Sequence, residues 1–369
     1  MFFYLSFLSK DYNFLSFFRL FDSILFRSIG AMITALLVSL FFGNMIIKWL
    51  YKNGYRDIVR DYGSIGVNDK KGTPVMGGLI IILSLVVSIL LWSNLSSAFS
   101  IIPLCAIVWY GAIGAKDDID KIKYKNSDKG MTQLTKIILQ SLFAIGLAWI
   151  LTDSQLTPFP EGIVSRITIP YVKGPFSIET GWFYMGFIVL TMVAIANSVN
   201  FADGMDGLAT VPSIVTGSVY AILAYLIGNA VYSKYLLFDY IPGTGELTII
   251  MAALFGAGLG FLWYNCYPAT VFMGDTGSMA IGGLLGVTVI LVKQELLFLV
   301  AGGIFVAEAL SVLIQEKIGI NRLGRRIFFR APIHHTYQFM GIAETKIVQR
   351  FWIVSIILAL ISLASIKIR

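Results

Sequence analysis

Charge is scarce in this sequence. Asp, Glu, Lys and Arg make up 13% of 369 residues, hydrophobic residues make up 57%, and the mean hydropathy is +0.80. A soluble domain is about a quarter charged, so this deficit excludes a surface that faces only water. Cysteine is nearly missing: Cys105 and Cys266 are the only two and lie far apart, which argues against a disulfide framework or a structural zinc site. Histidine is just as rare, with His334 and His335 side by side. No repeat, low-complexity tract or soluble domain interrupts the chain, so residues 1–369 are expected to form a single integral-membrane domain. The formal net charge of +7 is assigned to basic residues flanking membrane spans, and no nucleic-acid partner is expected.

What the chain does have is long apolar runs. A hydrocarbon core of about 30 Å needs about 20 apolar residues per helix, and a backbone in lipid must satisfy its own polar groups. Runs of this length without period-2 alternation predict helices at 24–50, 75–95, 98–116, 132–152, 181–199, 208–229, 246–264, 277–294, 296–315 and 347–367. The expected fold is an all-α polytopic membrane protein with about ten transmembrane helices. Residues 1–23 are aromatic and lack a cleavable signal pattern, so they predict an interfacial helix. The alternating stretch 166–178, with Lys173-Gly174 at its middle, predicts a small extracytoplasmic β-hairpin.

Lys and Arg are concentrated on one side of these spans. Loop 51–74 carries Lys52, Arg56, Arg60, Lys70 and Lys71. The end of the third span and the start of the fourth carry Lys116, Lys121, Lys123, Lys125, Lys129 and Lys136. The last loop carries Lys317, Arg322, Arg325, Arg326, Arg330 and Lys346. The positive-inside rule makes this face cytoplasmic and puts both termini on the outer face.

The residues with chemical potential lie on that same face. Asp117-Asp118 reads most simply as a solvated helix end, but an aspartate pair also suits Mg²⁺ or proton transfer. Asn197, Asn200, Asp203 and Asp206 fall within ten residues that contain two Asp-Gly steps, more polar groups than a turn requires at a membrane boundary. Asn265, Phe272 and Asp275 precede a Gly-rich helix start whose N–H groups could cradle an anion. There Asp275 would need a metal to meet a phosphate, although it could equally be an N-cap. Lys70, Lys71 and Thr73 open the second span; they are either an ordinary basic flank or a phosphate clamp. His334 and His335 follow a basic run and suit diphosphate binding or proton transfer. Glu308, inside the ninth span, is functional or paired. Taken together, these are the parts of a Mg²⁺-dependent phosphoryl-transfer site at the cytoplasmic interface.

These motifs resemble the polyprenyl-phosphate N-acetylhexosamine-1-phosphate transferase superfamily. Asp117-Asp118, Asn197 to Gly207 and Asn265 to Ser278 match its motifs. Glu308 to Gln315 and Arg326 to His335 are similar to its phospho-N-acetylmuramoyl-pentapeptide transferase branch. The resemblance implies an enzyme of the bacterial cytoplasmic (inner) membrane, a homodimer with its active site in a cleft facing the cytoplasm. It implies transfer of phospho-MurNAc-pentapeptide from UDP-MurNAc-pentapeptide to undecaprenyl phosphate, giving lipid I and UMP in the membrane step of peptidoglycan synthesis. By motif, Asp275 is the Mg²⁺ ligand, Asp117 and Asp118 lie near the lipid phosphate with Asp117 as candidate base, and His334 joins the catalytic set. Lys70, Lys71, Thr73, Asn197, Asn200, Asp203, Asp206, Asn265, Phe272 and His335 line the substrate pocket. Three positions depart from the family pattern: Thr336 and Gln338 stand where a third histidine and a glutamate are usual, and Val75 replaces a threonine. A sister transferase of another sugar phosphate and a secondary transporter are the competing readings; the missing repeat disfavours the transporter.

Overall fold

The computed structural model describes residues 1–7, 13–56, 72–124, 130–172 and 177–368. Its helices are α1 (Ile24–Lys52), α2 (Gly78–Trp92), α3 (Ala98–Lys123), α4 (Gln133–Thr152), α5 (Phe183–Ala202), α6 (Thr210–Ile227), α7 (Ala230–Tyr235), α8 (Gly245–Asn265), α9 (Gly274–Leu291), α10 (Phe298–Ala301), α11 (Gly303–Leu313), α12 (Ile333–Phe339) and α13 (Glu344–Ile368). Eight of them are long and apolar enough to cross a membrane, and α2 is a shorter apolar helix. The protein is an all-α polytopic membrane protein. Strands β1 (Arg166–Thr168) and β2 (Ser177–Glu179) pair antiparallel, Ile167 opposite Ile178, as the alternating stretch predicts. The turn expected at Lys173-Gly174 lies outside the described residues.

Two elements differ from expectation. The third helix continues past 116 to Lys123, so Asp117 and Asp118 are helical rather than loop residues. The ion pairs Lys116–Asp120 and Lys121–Asp117, each one turn apart, carry the helix beyond its apolar part. The ninth span is not one helix: α10 and α11 meet at Gly302-Gly303, and α11 runs into a π-helical segment, Ile314–Ile320. Adjacent glycines are a poor helix interior. Finally, the described part of 1–23 is helical, 3-10 at Phe2–Tyr4 and Asn13–Asp22 and α at 5–7, and residues 8–12 lie outside the described residues. Ser23 ends this stretch by capping α1 through the Phe26 N–H, and Phe2 and Phe21 gather on Trp92.

The bundle is organised around α9, which is almost wholly buried. It packs on α3 and α5, while α1 and α6 pack along α8. Small residues make the central crossings close, as lipid-embedded helices require. A Cβ on Gly78 would come within 2.1 Å of Gly277, and one on Gly114 within 2.0 Å of the Asp275 carbonyl oxygen. These contacts press α2 and α3 against the first turn of α9. That turn, the end of α3, the start of α4 and the end of α5 share one end of the bundle. The opposite end is held by other polar locks. Arg27 pairs with Glu246 at 2.8 Å, buried, and Lys293 donates to the Val164 carbonyl at 3.0 Å beside the hairpin.

Candidate active site

Helix α9 starts inside protein, so its free N–H groups need partners that water would give an exposed helix. Its own N-cap position, Met273, supplies no side-chain acceptor. Asp118 supplies it from α3. One carboxylate oxygen accepts from the Asp275 N–H at 3.1 Å, and the other accepts from the Thr276 N–H at 2.9 Å and the Thr276 hydroxyl at 2.7 Å. Asp118 is 3% exposed. Its negative charge therefore faces the positive end of the α9 dipole, and both its oxygens are engaged in fixing Asp275. Asp118, expected near the lipid phosphate, is in this geometry the cap of α9.

Asp275 projects from that fixed turn towards Asp117. Two ammonium groups lie between the carboxylates. Lys136 Nζ is 2.9 Å from Asp117 and 2.8 Å from Asp275, and Lys121 Nζ is 2.6 Å and 3.1 Å from the same two oxygens. Asp117 also accepts from the Met131 N–H at 2.6 Å and is fully buried. Asn200 completes the arrangement: its amide donates to Asp275 at 3.0 Å and to the Ser278 hydroxyl at 2.9 Å. Buried charge of either sign is costly alone; two carboxylates sharing two ammoniums avoid that cost. Asp203, the residue after α5, has no such pairing among the described residues. Burial, and then the carboxylates of Asp275, Asp118 and Asp206, push its carboxyl well above the usual range.

Several expected pocket residues do other work. Asn197 exchanges amide hydrogen bonds with Gln140 of α4, the shorter at 2.7 Å, and so joins two helices. Asp206 accepts from the Ala269 N–H at 3.1 Å, and its own N–H donates to Glu344 at the start of α13. Asn265 accepts from the Gly207 N–H and the Thr210 hydroxyl and donates to the Val271 carbonyl, all within 3.2 Å. These two side chains bind the loop after α5 to the loop after α8. Phe272 is half-buried; its N–H donates to the Pro74 carbonyl at 2.9 Å and its carbonyl accepts from Gly77 at 2.8 Å, which brings half-buried Thr73 into the same segment. Lys70 and Lys71 lie outside the described residues.

His334 is fully buried on α12, with its ring centre 4.2 Å from that of His335. His335 Nδ1 is 3.2 Å from Gln338, one of the residues that depart from the family pattern. Another, Thr336, closes a turn by bonding both the N–H and the carbonyl of Arg330. Each of these two replacements is thus a folding contact of the histidine segment.

Lys121 and Lys136 are the residues that sequence reasoning passed over. Both count there only as basic flanks that set orientation, although Lys121 stands one helical turn from Asp117. Among the described residues, no three His, Cys, Asp or Glu side chains gather into a metal cage. The donor set nonetheless fits Mg²⁺, which is held through one or two carboxylates with water and substrate phosphates completing its shell. Asp117 and Asp275 already converge on a common positive charge, with the lysine ammoniums standing where a cation's charge would be.

The site is thus a buried pair of carboxylates bridged by lysines, beside a capped helix start in a membrane bundle. Residues 100–293 match the model of the family described as Glycosyl transferase family 4. The match covers more than half of the chain, and the protein belongs to this family of polyprenyl-phosphate hexosamine-1-phosphate transferases. It is a membrane enzyme that moves a sugar-1-phosphate to a polyprenyl phosphate. The matched region holds Asp117, Lys121, Lys136, Asn200, Asp203 and Asp275; the segment from Glu308 to His335 lies beyond it.

Proposed function

We propose that this transferase moves phospho-MurNAc-pentapeptide from UDP-MurNAc-pentapeptide to undecaprenyl phosphate, forming lipid I and releasing UMP on the cytoplasmic face of a bacterial inner membrane. The observation that carries the choice of sugar is the packing of the His334 segment, whose residues resemble the muramoyl-pentapeptide branch, onto the Asp203–Gly204 turn of the shared transferase site. Asp275 and Asp117 would hold Mg²⁺, and the ion would supply neutralisation of the negative charge that grows on the diphosphate.

The chain's own groups then divide the work. Lys121 and Lys136 turn from their carboxylates to the diphosphate oxygens, and Asn200 keeps Asp275 in place. The lipid phosphate has a second pKa of about 6, so at neutral pH it attacks as an anion and needs no base. Asp117, engaged by a backbone N–H and two ammoniums, is accordingly a charge-holding group. A lipid phosphate oxygen bonds to the sugar-linked phosphorus, the bridging phosphorus–oxygen bond breaks, and UMP departs with that electron pair. The enzyme would work as a homodimer.

The test offers purified enzyme UDP-MurNAc-pentapeptide or UDP-GlcNAc, with undecaprenyl phosphate and Mg²⁺ in mixed micelles. UMP release with the first donor alone is expected. Release with UDP-GlcNAc alone would move the protein to a sister branch. A phospho-sugar adduct on the enzyme, trapped without lipid, would overturn the one-step route.

A further inference from the structure

Glu308 has no part in the site described above, yet it is fully buried in α11. An unpaired carboxylate there would be costly. Its nearest charged partner is on another element: Glu308 Oε2 lies 3.1 Å from His334 Nδ1, with the two side chains 0% and 1% exposed. At this contact the angles fall short of a hydrogen bond, and among the described groups neither Glu308 oxygen nor either His334 nitrogen has a hydrogen bond of good geometry, so each buried group has the other as its close polar neighbour. On its far side the imidazole abuts Gly204, one residue from Asp203. A Cβ at Gly204 would sit 2.2 Å from His334 Nε2. The ring is thus held between a carboxylate behind it and the acidic turn in front of it.

We infer that Glu308 is a positioning residue for the transferase site: it keeps His334 Nδ1 protonated and so turns Nε2 towards the Asp203–Gly204 turn, where the donor's diphosphate is read to bind. This rests on the proposed reading of the site. The physics is that of any histidine whose second nitrogen does the work. A carboxylate on one nitrogen fixes both tautomer and ring orientation. It also explains why a strongly polar residue occupies the helix that breaks at Gly302-Gly303, and why glycine occupies position 204: any side chain there would drive the ring back from the turn.

The chain has only two histidines, so ¹⁵N-histidine labelling gives a spectrum of two imidazoles. Long-range ¹H–¹⁵N correlations on the full-length protein in detergent, with His335→Gln to assign the pair, report which nitrogen carries the proton. In the parent protein His334 Nδ1 is expected to be protonated. Glu308→Ala should move that proton to Nε2, and Gly204→Ala, acting from the opposite side, should disturb the same resonance. Glu308→Gln, isosteric and still able to accept from Nδ1–H, should restore the Nδ1-protonated form. In transfer assays Glu308→Ala should lower kcat by about 10–100-fold, the range for removing a histidine's orienting partner, with KM for the nucleotide sugar changed much less. Glu308→Gln should fall between parent and Ala.

A His334 spectrum indifferent to Glu308→Ala, or an unprotonated Nδ1 in the parent, would overturn the inference, as would full kcat in Glu308→Ala. If Ala does not yield folded protein, Glu308→Gln decides: kcat equal to the parent's, or a His334 protonated at Nε2 instead of Nδ1, counts against it. Should the parent enzyme refuse UDP-MurNAc-pentapeptide while the spectra behave as expected, the substrate reading fails and the pairing of Glu308 with His334 stands.

Discussion

Replacing Asp118 separates two roles that sequence reasoning had merged. In Asp118→Asn one oxygen still accepts from Thr276, but an NH₂ group now faces the Asp275 N–H that the second oxygen accepted at 3.1 Å. Donor meets donor at the buried start of α9. A buried donor left without a partner costs about 1–3 kcal/mol. The charge opposite the helix N-terminus adds about 0.3–2 kcal/mol. Together these set the loss of stability at about 2–4 kcal/mol, which for a chain of this size is roughly 3–5 °C in melting temperature. Activity should fall further than stability, because Asp275 shifts with its backbone and a displacement of about 1 Å at a reacting group costs about 100-fold. The assay pairs UMP release with thermal unfolding in the same detergent, read by tryptophan fluorescence. A protein that melts at the parent temperature or above it, yet is inactive, would refute the capping argument and return Asp118 to the reacting groups.

Three further outcomes follow from the geometry. Lys136→Met removes one of the two ammoniums shared by Asp117 and Asp275, and turnover should drop by about 100-fold or more while the enzyme remains folded by size-exclusion chromatography; near-parent turnover would remove Lys136 from the diphosphate clamp. Asn197→Ala strands the Gln140 amide and should cost about 1–3 kcal/mol of stability with little change in KM for the nucleotide sugar, whereas Asn197→Leu combined with Gln140→Leu should recover most of that stability; a KM effect without a stability effect would put Asn197 back in the pocket. Because the folded protein raises the Asp203 carboxyl, the folded state holds a proton that the unfolded state has lost above about pH 4. Stability therefore falls as pH rises from there towards the raised folded value, and above it the penalty remains. Asp203→Asn, measured without divalent cation, should raise the melting temperature at neutral pH and have little effect near pH 4; an equal effect at both would show that ionisation is not its cause.

The spans were legible because lipid imposes one simple rule on the chain: enough apolar residues in a row. The rule fails where its assumption does. Gly302-Gly303 is apolar enough to pass unnoticed inside a hydrophobic run, yet it interrupts the helix. Asp117 to Lys123 is too polar to count as membrane helix, yet its residues at four-residue spacing keep it helical. The site was legible as an inventory but not as a set of partnerships. Asp118, Asn197, Asp206 and Asn265 all stand out as polar residues in an apolar chain. Each has a partner on a helix or loop between 57 and 158 residues away, and no local pattern encodes that. Lys121 and Lys136 were hidden by a different cause: the charge asymmetry that fixes orientation accounts for every basic residue on that face without asking what any one of them touches.

Once partners are known, the aspartates of this pocket cease to be equivalent. Asp118 is balanced by two backbone N–H groups and a hydroxyl that belong to a buried helix and cannot leave without unwinding it. Asp203 is pushed towards its protonated form. Asp117 and Asp275 are balanced by long, flexible side chains, those of Lys121 and Lys136, which are 29% and 17% exposed. A carboxylate whose counter-charge can swing away is one that can accept a different cation without net charge being buried. A lysine released in that exchange is free to meet incoming phosphate. The pocket therefore confines exchangeable charge to one pair of aspartates, at the end of α9 that Asp118 holds still.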